Sequence, residues 1–138
     1  MQLDEERVLQ GARILVVEDD FFISIELDTI LADAGAKVVG PCRTVAQAKD
    51  LIDRSNGHGP GGGPGGGNRI SAAILDFRLG DDTSLSVARK LQRQGIPFVF
   101  FTGQANSQRI HAECPHAQVI AKPFEPRTIL AAVASLLH

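Results

Sequence analysis

Apolar residues in this chain fall in short unbroken runs, and between the runs they recur at helical spacing. Arg13-Ile14-Leu15-Val16-Val17 is the first run; it predicts a strand buried on both faces, ending in Glu18-Asp19-Asp20. Asp20 can cap a helix whose Ile23, Leu27, Ile30, Leu31 and Ala34 form one stripe, with Gly35 placed to end it. Ala36-Lys37-Val38-Val39 predicts a short strand closed by Gly40-Pro41, and Thr44 can cap a second helix with Val45, Ala48 and Ile52 inward. A third strand over Ala72 to Leu75 delivers Asp76. After Arg78-Leu79-Gly80-Asp81-Asp82-Thr83, where Asp81 and Asp82 read as turn and cap residues, a helix turns Leu85, Ala88 and Leu91 inward and stops at Gly95. Ile96 to Phe101 predicts the most apolar strand, ending in Thr102-Gly103. From Gln104 to Gln118 the pattern weakens, and only a short helix around Ala105 to His111 is expected before Cys114-Pro115. Gln118-Val119-Ile120-Ala121 predicts a fifth strand; past Lys122-Pro123-Phe124, a last helix from near Pro126 turns Ile129, Val133, Leu136 and Leu137 to the core.

Strands alternating with helices through short links require right-handed crossovers, hence an α/β fold whose parallel sheet carries helices on both faces. Strands one, three and four are apolar throughout, whereas two and five are short and mixed, as edge strands are. The pattern predicts a five-stranded, doubly wound sheet in the flavodoxin-like order 2-1-3-4-5. Such sheets bind ligands beyond the carboxyl ends of their strands, where the order reverses between strands one and three.

At 138 residues, 43% apolar and 22% charged, the sequence suits one core, with a polar lead over 1–11 and a domain over 12–138. One stretch breaks the pattern: eight of the fourteen glycines lie between Gly57 and Gly67, so 55–68 is expected to be a flexible insertion. A phosphate-binding loop would need Gly-Lys-Ser/Thr opening a helix after a strand, and this run instead follows a helix and precedes a strand. It leaves the strand-starting side of the sheet and is expected to be dispensable. A formal net charge of -2 gives no basic footprint for nucleic acid or an anionic membrane surface. Cys42 and Cys114 lack metal or redox spacing and read as reduced thiols. The start has no signal-peptide pattern and no apolar run reaches membrane-spanning length, so a cytoplasmic protein is expected.

The predicted fold gathers Glu18, Asp19, Asp76, Thr102 and Lys122 at strand ends on one side of the sheet. Carboxylates sharing a crevice repel one another and retain protons unless a cation is bound. An all-oxygen set of this kind suits magnesium, with manganese as a substitute, completed by waters and a phosphate oxygen. The hydroxyl of Thr102 and the ammonium of Lys122 are what a phosphoryl group on that metal would need.

Val16-Val17-Glu18-Asp19-Asp20, Ile74-Leu75-Asp76, Phe101-Thr102-Gly103 and Lys122-Pro123-Phe124 together resemble, in order and spacing, the four signatures of the response-regulator receiver domain. The resemblance covers about residues 12 to 138. It implies a single-domain response regulator that accepts a phosphoryl group on Asp76 from a sensor histidine kinase or a histidine phosphotransfer protein, as a signalling switch or a phosphate sink. Magnesium would be held by Glu18, Asp19, Asp76 and the backbone carbonyl of Arg78. Thr102 and Lys122 would bind the phosphoryl group, with Gly103, Gln104 and Pro123 supporting them. Such chemistry asks for in-line positioning and charge stabilisation, so the domain would catalyse only its own phosphorylation and dephosphorylation. The downstream protein is unknown, and a homodimer is left open.

Three features depart from the family pattern. Val119 stands where receivers usually carry Phe, Tyr or His, so output is expected through the fourth helix and its loops without an aromatic flip. The loop after Asp76 has Leu79-Gly80-Asp81-Asp82 in place of a frequent Pro-Gly pair, and the glycine-rich insertion is unusual. Pro97 to Gly103 also resembles in part a Phe-Ala-Thr-Gly receiver subgroup linked to bacterial stress signalling, with Phe101 in place of the alanine. Two other functions compete. A pseudo-receiver would bind partners without phosphorylation. A magnesium-dependent phosphatase of the haloacid dehalogenase class would need Asp-x-Asp after strand one, where Glu18 occupies the nucleophile position.

Overall fold

A computed structural model describes residues 8–55, 69–103 and 106–137. The apolar runs become strands β1 (Arg13–Val17), β2 (Lys37–Cys42), β3 (Ala72–Asp76), β4 (Phe98–Thr102) and β5 (Gln118–Ala121). Between and after them come helices α1 (Phe21–Asp33), α2 (Val45–Ser55), α3 (Leu85–Arg93), α4 (Ser107–Glu113) and α5 (Pro126–Leu136). All neighbouring strands of this sheet pair in parallel, in the order β2-β1-β3-β4-β5. The chain therefore has the flavodoxin-like, doubly wound fold that the alternation requires.

Successive residues of the central strands feed opposite faces. Leu15, Val17, Ala73, Leu75, Phe98 and Phe100 pack with Ala48 and Ile52 of α2, Leu91 of α3 and Ile110 of α4. On the other face, Ile14, Val16, Ile74, Val99 and Phe101 pack with Leu27 and Leu31 of α1 and Ile129 and Val133 of α5. The register places Val17 opposite Leu75 and Leu75 opposite Phe100, so Glu18, Asp76 and Phe101 come level at the carboxyl edge.

Several local expectations differ from the structure. Gly40-Pro41 does not close β2, which runs on to Cys42 with a register shift between Leu15 and Val17. Gly40 permits this at φ +99°, where a Cβ would meet the Cys42 nitrogen at 2.8 Å and the Val16 carbonyl at 3.0 Å. The link after Asp76 is a small antiparallel hairpin, Arg78–Leu79 against Asp82–Thr83, turning at Gly80 and Asp81. Asp82 is thus a strand residue, and Ser84 takes the position before α3. β4 begins at Phe98, and α4 lies about two residues later than its weak pattern suggests. Leu9, assigned to the polar lead, is buried and donates its N–H to the Ala34 carbonyl at 2.9 Å. Ser55 is a buried residue of α2; the rest of the expected glycine-rich insertion, and Gln104, lie outside the described residues.

Candidate functional site

Asp76 ends β3 at 5% exposure, in a strand otherwise wholly apolar. A carboxylate there needs compensation. It comes from Lys122, one residue past β5, whose Nζ lies 3.1 Å from Asp76 Oδ2 and 3.6 Å from Glu18 Oε1. The same ammonium sits 4.9 Å above the Phe101 ring, which packs edge-on against Phe124. The backbone N–H of Arg78 approaches Asp76 Oδ1 at 3.4 Å. The arrangement follows from the register, because each of these groups lies at or just past a strand end on one edge of the sheet.

Glu18 is buried, and its Oε2 accepts the Asp20 N–H at 2.9 Å. Burial first, then a hydrogen bond to Asp76 that needs a shared proton, pushes its carboxyl up to about 8; the Asp20 N–H and Lys122 pull the other way. Asp19 is half-buried and accepts the Gly80 N–H at 2.9 Å, tying the loop after β1 to the hairpin after β3. Its own carbonyl accepts from Arg43 Nη2 at 3.1 Å. Asp20 is the cap of α1, its Oδ1 accepting the Ile23 N–H at 3.0 Å.

Carboxylate oxygens of Glu18, Asp19 and Asp76 all lie within 4.8 Å of one another. As a carboxylate, Glu18 leaves Oε1 buried without a hydrogen-bond donor. An all-oxygen donor set with one unsatisfied buried oxygen fits a hard divalent cation.

Thr102 is buried at the end of β4, and its Oγ1 accepts from Asn106 Nδ2 at 3.2 Å. Gly103 is exposed and accepts the Asn106 N–H through its carbonyl; Pro123 is exposed and follows a cis peptide bond. Val119 is half-buried and packs on the α2–α3–α4 face of the sheet. Arg43, Gly80 and Asn106 touch the site residues without having been expected there. Their signals were weak: a polar residue before a helix, a turn glycine, and an Asn in the stretch without periodicity. Both thiols are buried and free, and burial raises each, Cys42 to about 11 with Asp50 adding to it.

No family model matches the chain. Over 129 residues it is 25% identical to the phyllosphere-induced regulator PhyR of Methylorubrum extorquens, covering 92% of this chain and 44% of that protein. The chain spans about half the length of the curated relatives it matches. Among solved structures, a response regulator receiver protein from Sinorhizobium medicae superposes with TM-score 0.75 at 22% identity, covering 91% of this chain and 94% of that one. SdrG from Sphingomonas melonis reaches TM-score 0.71 at 33% identity, covering 92% and 97%. The chain belongs to the response-regulator receiver family.

As a receiver it keeps the acids and the lysine together, with Thr102 at the neighbouring strand end. Its sheet order and the cluster of Glu18, Asp19 and Asp76 fit the family architecture. Where an aromatic is usual, this receiver has Val119 at a half-buried edge-strand position. Among the described residues no helix is long and apolar enough to cross a membrane.

Proposed function

We propose that the chain is a cytoplasmic phosphoacceptor. It would take a phosphoryl group on Asp76 from a phosphohistidine of a sensor histidine kinase or histidine phosphotransfer protein, serving as a switch or a phosphate sink. The observation that carries this reading is Asp76 itself, a buried strand-end carboxylate with Lys122 at 3.1 Å. Two further carboxylates lie within reach of a shared cation.

An Asp76 oxygen forms the new O–P bond as the P–N bond breaks, the imidazole nitrogen leaving with the electron pair and taking up a proton. Lys122, paired with Asp76 and Glu18 at rest, swings its ammonium to pair with a phosphoryl oxygen. Thr102 turns its hydroxyl proton to another. Glu18, Asp19, Asp76 and the carbonyl of Arg78 would hold magnesium, which when bound neutralises charge on the phosphoryl oxygens. Water later cleaves the acyl phosphate, returning the carboxylate and inorganic phosphate. Incubation with acetyl phosphate tests the scheme: the mass of one phosphoryl group should appear with magnesium and not with a chelator. Equal labelling in both would remove the metal from the reading.

A second reading, a phosphorylation-independent binding module, is favoured by Val119, which has no polar tip or ring to exchange between environments. A purified chain that folds, binds magnesium and takes no label would support it.

A further inference from the structure

Asn106 stands at the N-cap position of α4, where an Asn side chain ordinarily accepts a hydrogen bond from the second or third helical N–H. It makes no such bond, and its backbone, at φ -98° and ψ -7°, is helical where a cap is usually extended. Ser84 before α3 and Glu125 before α5 make no such bond either, whereas two other caps do. Asp20 Oδ1 accepts the Ile23 N–H at 3.0 Å, and Thr44 Oγ1 accepts the Gln47 N–H at 3.1 Å. The Asn106 amide is turned to the sheet instead, donating to Thr102 Oγ1 at 3.2 Å.

That bond is at the long end of the range for an N–H donor, so a small movement of Thr102 breaks it. While it lasts, it holds one lone pair of the hydroxyl and leaves its proton free to aim elsewhere. α4 itself is short and held by few contacts. Ile110 is its buried residue, and Arg109 lies 5.4 Å over the ring of Phe77, the residue after Asp76. Whatever fixes its first turn therefore governs much of its order.

We infer that Asn106 is a two-position cap. Bonded to Thr102, it holds the hydroxyl at the end of β4 and leaves α4 uncapped; released from Thr102, it caps α4. The trigger rests on the phosphoacceptor reading, because a phosphoryl group on Asp76 is what draws the Thr102 hydroxyl away. This provides a route from the acceptor to the α4–β5 face that needs no aromatic at position 119.

Amide hydrogen exchange at Gln108 and Arg109, followed by NMR, tests the cap without any phosphoryl group. Thr102→Val removes the acceptor and keeps the shape, and it should slow exchange at one of these amides about fivefold, the worth of an Asn cap. Asn106→Ala alone, and the double variant Thr102→Val/Asn106→Ala, should show no slowing. A second comparison does not depend on the valine variant: wild type labelled with acetyl phosphate and magnesium should show the same slowing, and labelled Asn106→Ala should not. Unchanged exchange in folded Thr102→Val, or slowing that survives removal of Asn106, overturns the cap. A wild type that takes no label overturns the phosphoacceptor reading instead, and leaves the valine comparison to decide the cap.

Discussion

Lys122 Nζ lies 3.1 Å from Asp76 Oδ2, nearer than its 3.6 Å approach to Glu18, so at rest the strand-end carboxylate is closed by an internal cation. The lysine is only a quarter exposed, and the two acids it faces are buried. Lys122→Ala should therefore lower the stability of the metal-free protein by about 1–3 kcal/mol, the usual cost of leaving a buried group unpaired. Magnesium binding should survive, and use of the phosphoryl group should weaken. Thermal unfolding with and without magnesium checks the first two expectations. A variant as stable as wild type without metal would show that the lysine adds nothing to the proton the two carboxylates already share.

Glu18 titrates near 8 in the folded chain and near 4.5 when free. The folded state then holds the extra proton, so this contribution to stability is present below the free value and is lost as pH rises through about 8. Metal-free protein should lose stability between about pH 4.5 and about pH 8, while magnesium, which needs the ionised acids, should bind more tightly over the same range. Glu18→Gln should flatten both dependences. Urea midpoints measured across this range decide it: equal slopes in the two proteins would place the titration elsewhere.

Most of this site was legible in the chain because a buried strand followed at once by an acid, a hydroxyl or a lysine leaves that group at the sheet edge whatever the details of packing. Glu18, Asp19, Asp76, Thr102 and Lys122 all obey that logic. Asn106 does not, since an Asn before a short helix reads as an ordinary cap and nothing local reveals that its amide bonds Thr102. The hairpin at Arg78–Thr83 was illegible for a different reason: strands of two residues carry no period. Gly40-Pro41 misled because the pair usually ends a strand, whereas here the positive φ of Gly40 lets β2 bulge and continue.

The two glycines that shape the site's surroundings should respond unequally to substitution. Gly40 combines φ +99° with backbone atoms at 2.8 and 3.0 Å from a built Cβ, so Gly40→Ala should cost roughly 1–3 kcal/mol or more. Gly80 sits at φ +62° with nothing within 4 Å, and Gly80→Ala should cost only about 1 kcal/mol while keeping the N–H that Asp19 accepts. Denaturant midpoints of the two variants check the order. A reversed order would mean that the β2 bulge relaxes freely.

Removing the charge of Asp76 tests the acceptor directly. Asp76→Asn takes away the oxygen expected to attack phosphorus, and it also removes one cause, second to burial, of the raised Glu18 carboxyl. The variant should fold, with Lys122 left facing Glu18. Wild type and Asp76→Asn would be incubated with acetyl phosphate and magnesium, and the intact masses and site of modification read by mass spectrometry. The expected result is one phosphoryl group on wild type, localised to Asp76, and none on the variant. Undiminished labelling of a folded Asp76→Asn would contradict it and move the acceptor elsewhere in the chain.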